Sequence, residues 1–206
     1  MSASQEIVLA ALYPDTRRRL TIFVDLLLKW QKTINLVAPS SLADLWTRHI
    51  EDSFQVQRSV PEADIWADFG SGGGFPGLIT AVLLAERPSA HIHLVESDKR
   101  KAAFLQTVSR ETDLKTTVHA IRIEAFAENF TGQVDAVSAR ALAPLPKLLD
   151  FAEPFLRRGA VGVFPKGQTA DAELTALSTA HRFDITSKPS RTDPTARLLL
   201  VRMPQS

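Results

Sequence analysis

Five of the chain's 9 glycines fall within eight positions, in Gly70-Ser71-Gly72-Gly73-Gly74-Phe75-Pro76-Gly77. Residues without a Cβ let a backbone turn sharply and approach a ligand closely, so this stretch is a candidate ligand cradle. Gly72, Gly74 and Gly77 satisfy the dinucleotide pattern G-x-G-x-x-G, but that string alone carries little weight. In a dinucleotide site the helix opens at once toward a pyrophosphate, whereas here Pro76 delays it. Glu96 follows the next apolar run, and its carboxylate can accept hydrogen bonds from both hydroxyls of an adenosine ribose. Arg140 and Lys166 follow two later apolar runs. Cys is absent, which excludes disulfides, thiolate metal sites and thiol nucleophiles.

These groups need elements that bring them to one edge. Ile65 to Phe69, His91 to Val95, Thr117 to Ile123, Val134 to Ser138 and Ala160 to Phe164 read as strands, rich in apolar and β-branched residues. Between them, Pro76 to Glu86, a stretch capped by Ser97 and running to about Thr112, and Leu145 to Arg157 read as helices. Strands alternating with helices give a mostly parallel sheet covered on both faces. Phe183 to Ser187 and Arg197 to Met203 are linked without a helix, so they should pair antiparallel as a hairpin. Before residue 61 the chain reads as strandless, with one helix over Asp15 to Lys32 and another from Ser40 or Ser41 through Arg58. The expected organisation is a helical extension, 1–60, packed on an α/β unit, 61–206. A length of 206 residues, 45% apolar and 23% charged, suits one globular unit of this kind.

The bland readings have their own claims. Arg48 and His49 could be a solvated helix face with a partly buried imidazole, and Arg17-Arg18-Arg19 an exposed helix side. His91 and His93 share a strand face without a third ligand nearby, so packing outranks metal binding and no metal is expected. Trp30, Trp46 and Trp66 lie in apolar patterns and read as core. Net charge is +1, which neither announces nor forbids a nucleic-acid partner. No apolar run is long enough to span a membrane, and the absence of a basic, apolar leader leads to an expectation of a soluble, cytoplasmic protein. On these residues two nucleotide chemistries stay open, a nicotinamide oxidoreductase and an S-adenosylmethionine methyltransferase. The antiparallel last strand favours the second.

Four blocks carry a closer likeness: Lys29-Trp30-Gln31-Lys32 with Asn35-Leu36; Arg48-His49-Ile50-Glu51-Asp52-Ser53; Gly70 to Gly77; and Ser138-Ala139-Arg140-Ala141 with Lys166-Gly167-Gln168. In this order they resemble the bacterial small-subunit ribosomal RNA methyltransferase G family, also called glucose-inhibited division protein B. The resemblance implies a Rossmann-like class I methyltransferase fold with a seven-stranded sheet. It implies S-adenosylmethionine as cofactor and methylation at N7 of guanine 527, in the standard numbering, of 16S rRNA. It further implies cofactor contacts from Gly70, Gly72 and Phe75, a ribose acid in Glu96, and an adenine bracket in Ile123 and Glu124. Arg140 would stand beside cofactor and target base, with Lys166 also at the reacting end, and Asn35, Arg48, His49 and Lys166 would face RNA. One departure is visible, because Asp98 precedes Lys99-Arg100-Lys101 where the family often has Lys-Arg four residues after the acid.

The chemistry is consistent with that implication. Guanine N7 carries an in-plane lone pair and no proton, so alignment matters more than a general base. The stretch after the fourth strand lacks the Pro-Pro-aromatic loop usual for exocyclic amines, and without Cys the usual route to pyrimidine C5 is closed, which leaves N7 or a small-molecule acceptor. Alternatives are a nicotinamide oxidoreductase, which leaves the Arg140 and Lys166 blocks unexplained, and a non-catalytic rRNA-binding assembly protein. A monomer is the expected state for an enzyme that must reach a large particle.

Overall fold

The computed structural model describes residues 3–177 and 182–204. Five parallel strands, β1 (Ile65–Phe69), β2 (His91–Val95), β3 (Thr116–His119), β4 (Ala136–Ala139) and β5 (Val161–Lys166), combine with β6 (Asp184–Pro189) and β7 (Arg197–Arg202). The sheet order is β3-β2-β1-β4-β5-β7-β6, and β7 runs antiparallel to both neighbours. The hairpin thus joins the sheet through its second strand.

Side chains alternate across the sheet, as the two-residue period of a strand requires. Trp66, Ile92, Leu94, Val163, Leu198 and Leu200 point to one face; Ala67, Phe69, Val95, Val137, Leu199 and Val201 point to the other. α1 (Ala3–Ala10) packs on Leu45–Glu51 and α2 (Pro14–Trp30) on α4 (Gly77–Leu83) and α5 (Lys99–Glu111), which with α3 (Asp52–Arg58) cover the first face. In α2, Leu20, Phe23, Val24 and Leu27 form one buried stripe, and each such side chain contributes about 1.5–3 kcal/mol through burial. The second face is covered by α6 (Ile123–Asn129), α7 (Leu145–Leu156) and residues next to α8 (Ala170–Thr175). The helices before residue 61 therefore share a single core with the sheet. Trp66 and Trp46 are buried, and Trp30 packs on Phe104.

Several expected boundaries move, each for a local reason. No single helix runs from Ser40 or Ser41 through Arg58; a 3-10 turn (Pro39–Ser41) and a π-helical stretch (Leu45–Glu51) lead into α3. The Ser41 hydroxyl caps nothing, because it donates to the carbonyl of Ala38 and meets His49 Nε2. Ser97 does not cap α5. Glu96 Oε1 accepts the N–H of Asp98, and Asp98 Oδ1 then accepts those of Arg100 and Lys101 at 2.8 and 3.2 Å. The third strand stops at His119, and Ile123 opens α6 rather than ending a strand. Its β-branched residues mimic strand composition there. Arg19 is not on an exposed helix side; it reaches the carbonyl of Thr112 and the carboxylate of Glu86 and ties α2 to the ends of α4 and α5.

Candidate active site

The carboxyl ends of β1, β2, β4 and β5 meet where strand order reverses, between β1 and β4, the place at which open α/β sheets bind ligands. The glycine loop is stitched to β2 by the N–H groups of Gly70 and Ser71, both donating to the carbonyl of Val95 at 2.9 and 3.1 Å. Gly70 sits at φ 67°, a left-handed conformation that favours glycine. Beneath the loop lies Asp68, 1% exposed. It accepts from the Ser138 hydroxyl at 2.6 Å across the β1–β4 register and from the Gly77 N–H at 3.2 Å. Burial pushes its carboxyl up to about 6, against the hydrogen bonds and the Arg140 charge that favour ionisation. A Cβ on Gly77 would stand 2.5 Å from Asp68 Oδ2, so only glycine lets α4 start this close. Sequence reading missed Asp68 and Ser138. The signal was one acid in an otherwise apolar run just before the glycines.

Arg140 follows β4 and is fixed by the π-helical stretch and the start of α3. Nη1 donates to the carbonyl of Arg48 at 3.0 Å and lies 3.7 Å from Asp52 Oδ2. Nη2 donates to His49 Nδ1, and the guanidinium stands 5.4 Å from the centroid of the Phe75 ring. Since Nδ1 accepts, the ring proton belongs on Nε2, which donates to Ser41 Oγ at 2.8 Å. Burial, then the charges of Arg140 and Arg48, lowers His49 to about 4, so the imidazole is neutral at physiological pH. Lys166, at the end of β5, donates to the carbonyl of Ala143 at 3.1 Å and pairs with Glu173 Oε2 at 2.7 Å. Two of its three N–H donors are thereby used.

A cavity of about 750 Å³ opens here, and Gly70, Gly72, Phe75, Arg48, His49, Arg140 and Lys166 all line it. Asn35, Glu96, Ile123 and Glu124 do not. Asn35 is exposed one residue before the lining Leu36, and Ile123 and Glu124 open α6, half-buried and exposed. Glu96 is buried, with Oε2 accepting the Gly72 N–H at 2.9 Å and Oε1 that of Asp98 at 2.7 Å. A carboxylate offers about four acceptor positions, so room for two ribose hydroxyls remains. The buried acid and the glycine backbone therefore fit the adenosine part of S-adenosylmethionine. Sequence reading also missed Gln55, Ser190 and Thr192, which line the cavity beside Asp52. Among the described residues, no group of three or more His, Cys, Asp or Glu could hold a metal, and no helix is long and apolar enough to cross a membrane.

Residues 16–193 match the family model described as rRNA small subunit methyltransferase G. The chain belongs to this family. It is 50% identical over 193 residues to the ribosomal RNA small subunit methyltransferase G of Bradyrhizobium sp. (strain ORS 278), covering 92% of this chain and 87% of that protein. It is 45% identical over 205 residues to the protein of the same name from Methylobacterium nodulans, covering 98% and 96%. Its fold is shared with the SAH-bound methyltransferase of Podospora anserina, with a TM-score of 0.62 at 11% identity over 89% and 88% of the two chains. In this chain the glycine loop and Arg140 after β4 line one cavity.

Proposed function

We propose that this protein transfers the methyl group of S-adenosylmethionine to N7 of guanine 527 in 16S rRNA, acting as a cytoplasmic monomer on the small ribosomal subunit. The observation that carries the reading is the fixed guanidinium of Arg140, which stands over the Phe75 ring of the glycine loop and lines one cavity with that loop at the sheet's switch point. Family membership and the names of the relatives support the substrate; the SAH in the Podospora anserina structure supports the cofactor.

The bound cofactor supplies an electrophilic methyl on a sulfonium. Glu96 and the loop Gly70 to Phe75 hold its adenosine and orient it, with Ile123 and Glu124 flanking the adenine. Arg140 faces the acceptor, where its free N–H groups suit the O6 beside N7 or a neighbouring phosphate. Lys166 keeps one N–H for the same purpose, and Asn35 and Arg48 lie outward for RNA contact. No proton leaves N7, so no base is required. His49, neutral and occupied at Nδ1, holds Arg140 in place. Preset donors around a base displaced from its stack are what this reaction needs. A nicotinamide enzyme would use the loop and Glu96 but give Arg140 nothing to do.

Transfer of labelled methyl from S-adenosylmethionine to small subunits lacking the modification tests this, with the product mapped by borohydride and aniline cleavage. One cleavage, at guanine 527, is the expected result. Cofactor binding without transfer to subunits or free rRNA overturns the substrate and leaves the fold.

A further inference from the structure

The loop 190–196 between β6 and β7 lines the same cavity as the glycine loop, and it is attached to α3 by two side chains. Gln55, buried in α3, spends both ends of its amide on this connection. Nε2 donates to Ser190 Oγ at 2.9 Å and to Asp52 Oδ1 at 2.6 Å, while Oε1 accepts the N–H of Arg191 at 3.1 Å. Asp52 Oδ1 also accepts the Thr192 hydroxyl at 3.0 Å, and its other oxygen faces Arg140. The partners on the loop lie 135 to 140 residues away in sequence. Asp52 therefore carries Arg140 on one oxygen and the loop on the other.

We propose that Asp52 and Gln55 form a clamp that sets the loop 190–196 and Arg140 together as the wall of the acceptor subsite, which receives a purine nucleotide displaced from RNA. The proposal rests on the methyltransferase reading above and adds positioning residues to it. Ser190, Thr192, Asp193, Pro194 and Ala196 line the same cavity as Arg140. None of the clamp's hydrogen bonds involves the glycine loop or Glu96. Loosening it should therefore disturb the acceptor and spare the cofactor. A buried polar group with every partner satisfied is costly to unpair, so a change of one donor suffices to release the loop.

Gln55→Glu replaces the Nε2 donor by an oxygen facing Asp52 Oδ1, so like charges meet at hydrogen-bond distance. The expected result is a KM for small subunits at least about 10-fold higher, with kcat within about 3-fold and SAH affinity by calorimetry within about 2-fold. Adding Asp52→Asn exchanges donor and acceptor and restores the bond with the pair's net charge kept. The double variant should recover most of the KM loss of Gln55→Glu, which a merely structural defect would not do, while kcat falls because Asp52→Asn no longer offers Arg140 a carboxylate. Thr192→Val, on the loop and outside the core, raises KM in the same sense and serves if Gln55→Glu does not fold. An unchanged KM in folded variants, a KM that the double variant does not recover, or an equal loss of SAH binding each overturns the clamp. No transfer by the parent protein overturns the function instead.

Discussion

Arg140 has exchanged bulk water for a carbonyl, an imidazole nitrogen, a carboxylate and the face of Phe75. Burial draws its pKa down while Asp52 and Asp68 hold it up, and it stays charged because a guanidinium starts so high. A buried charge held by that many groups is fixed in direction, and direction is what an alignment mechanism requires. Arg140→Ala should lower methyl transfer by at least about 100-fold while the far-ultraviolet spectrum stays that of the parent. Arg140→Lys should fail to restore it, since one ammonium cannot span Arg48 and His49 as a planar fork does. A physical check accompanies the kinetic one. His49 is held near 4 first by burial and then by Arg140, so in Arg140→Ala its titration followed by NMR should move upward. An unmoved His49 would show that the guanidinium does not act on the ring.

Among the elements, the junction of β1, the glycine loop and α4 has the least room. Gly77→Ala places a methyl 2.5 Å from both Asp68 Oδ2 and Leu94 Cδ2, neither of which can retreat in a packed core. Overpacking of this kind costs about 1–3 kcal/mol, read as a lower urea midpoint, and cofactor affinity should fall with it because the loop shifts. This junction was legible in the sequence, since an apolar run, clustered glycines and a proline fall within a dozen residues of each other. So were β2, α2, α5 and the final hairpin, whose periodicity is local. The bond between Gln55 and Ser190 was not, because nothing near a glutamine announces a partner 135 residues away. The π-helical turn was illegible for a related reason. Arg48 and His49 look like any helix face until Arg140 arrives from β4 to use the carbonyl of one and the ring of the other. The short helices α6 and α8 were missed because six or seven residues carry too little periodicity.

At the scale of the whole molecule, acid is the condition that separates its titrating groups. Burial, then the neighbouring His91 and His119, lowers His93 to about 4, and His49 lies there too; His91 and His119 are lowered by burial first. Between about 6.5 and 4 the unfolded chain binds protons that the folded chain refuses, so stability, full above 6.5, declines as pH falls through that window. Asp68, raised to about 6, works the other way, gaining stability as pH falls below 6, but it is one group against four. Thermal melts should show Tm falling from pH 7 to 4.5, and His93→Gln should reduce the slope. A flat profile would refute the accounting. The core makes a further prediction. A chain beginning at Pro61 would uncover the apolar sides of α4 and α5 on which α2 packs with Leu20, Phe23 and Leu27, so we expect residues 61–206 alone to aggregate rather than fold, as judged by solubility and proton NMR dispersion. A soluble, dispersed fragment would make residues 1–60 a separable unit.

The strand order also sets a timetable for synthesis. β7 lies between β5 and β6, so a chain leaving the ribosome has β1 to β5 available early but cannot seat β6 until residues 197–202 have emerged. Until then β5 presents an open edge, and the wall carried by the loop 190–196 has no fixed place. An enzyme that modifies ribosomal RNA would therefore gain the wall proposed for its acceptor only once β7 has been made. Nascent chains arrested before residue 197 should be cut readily by protease, and those released beyond residue 202 should be protected.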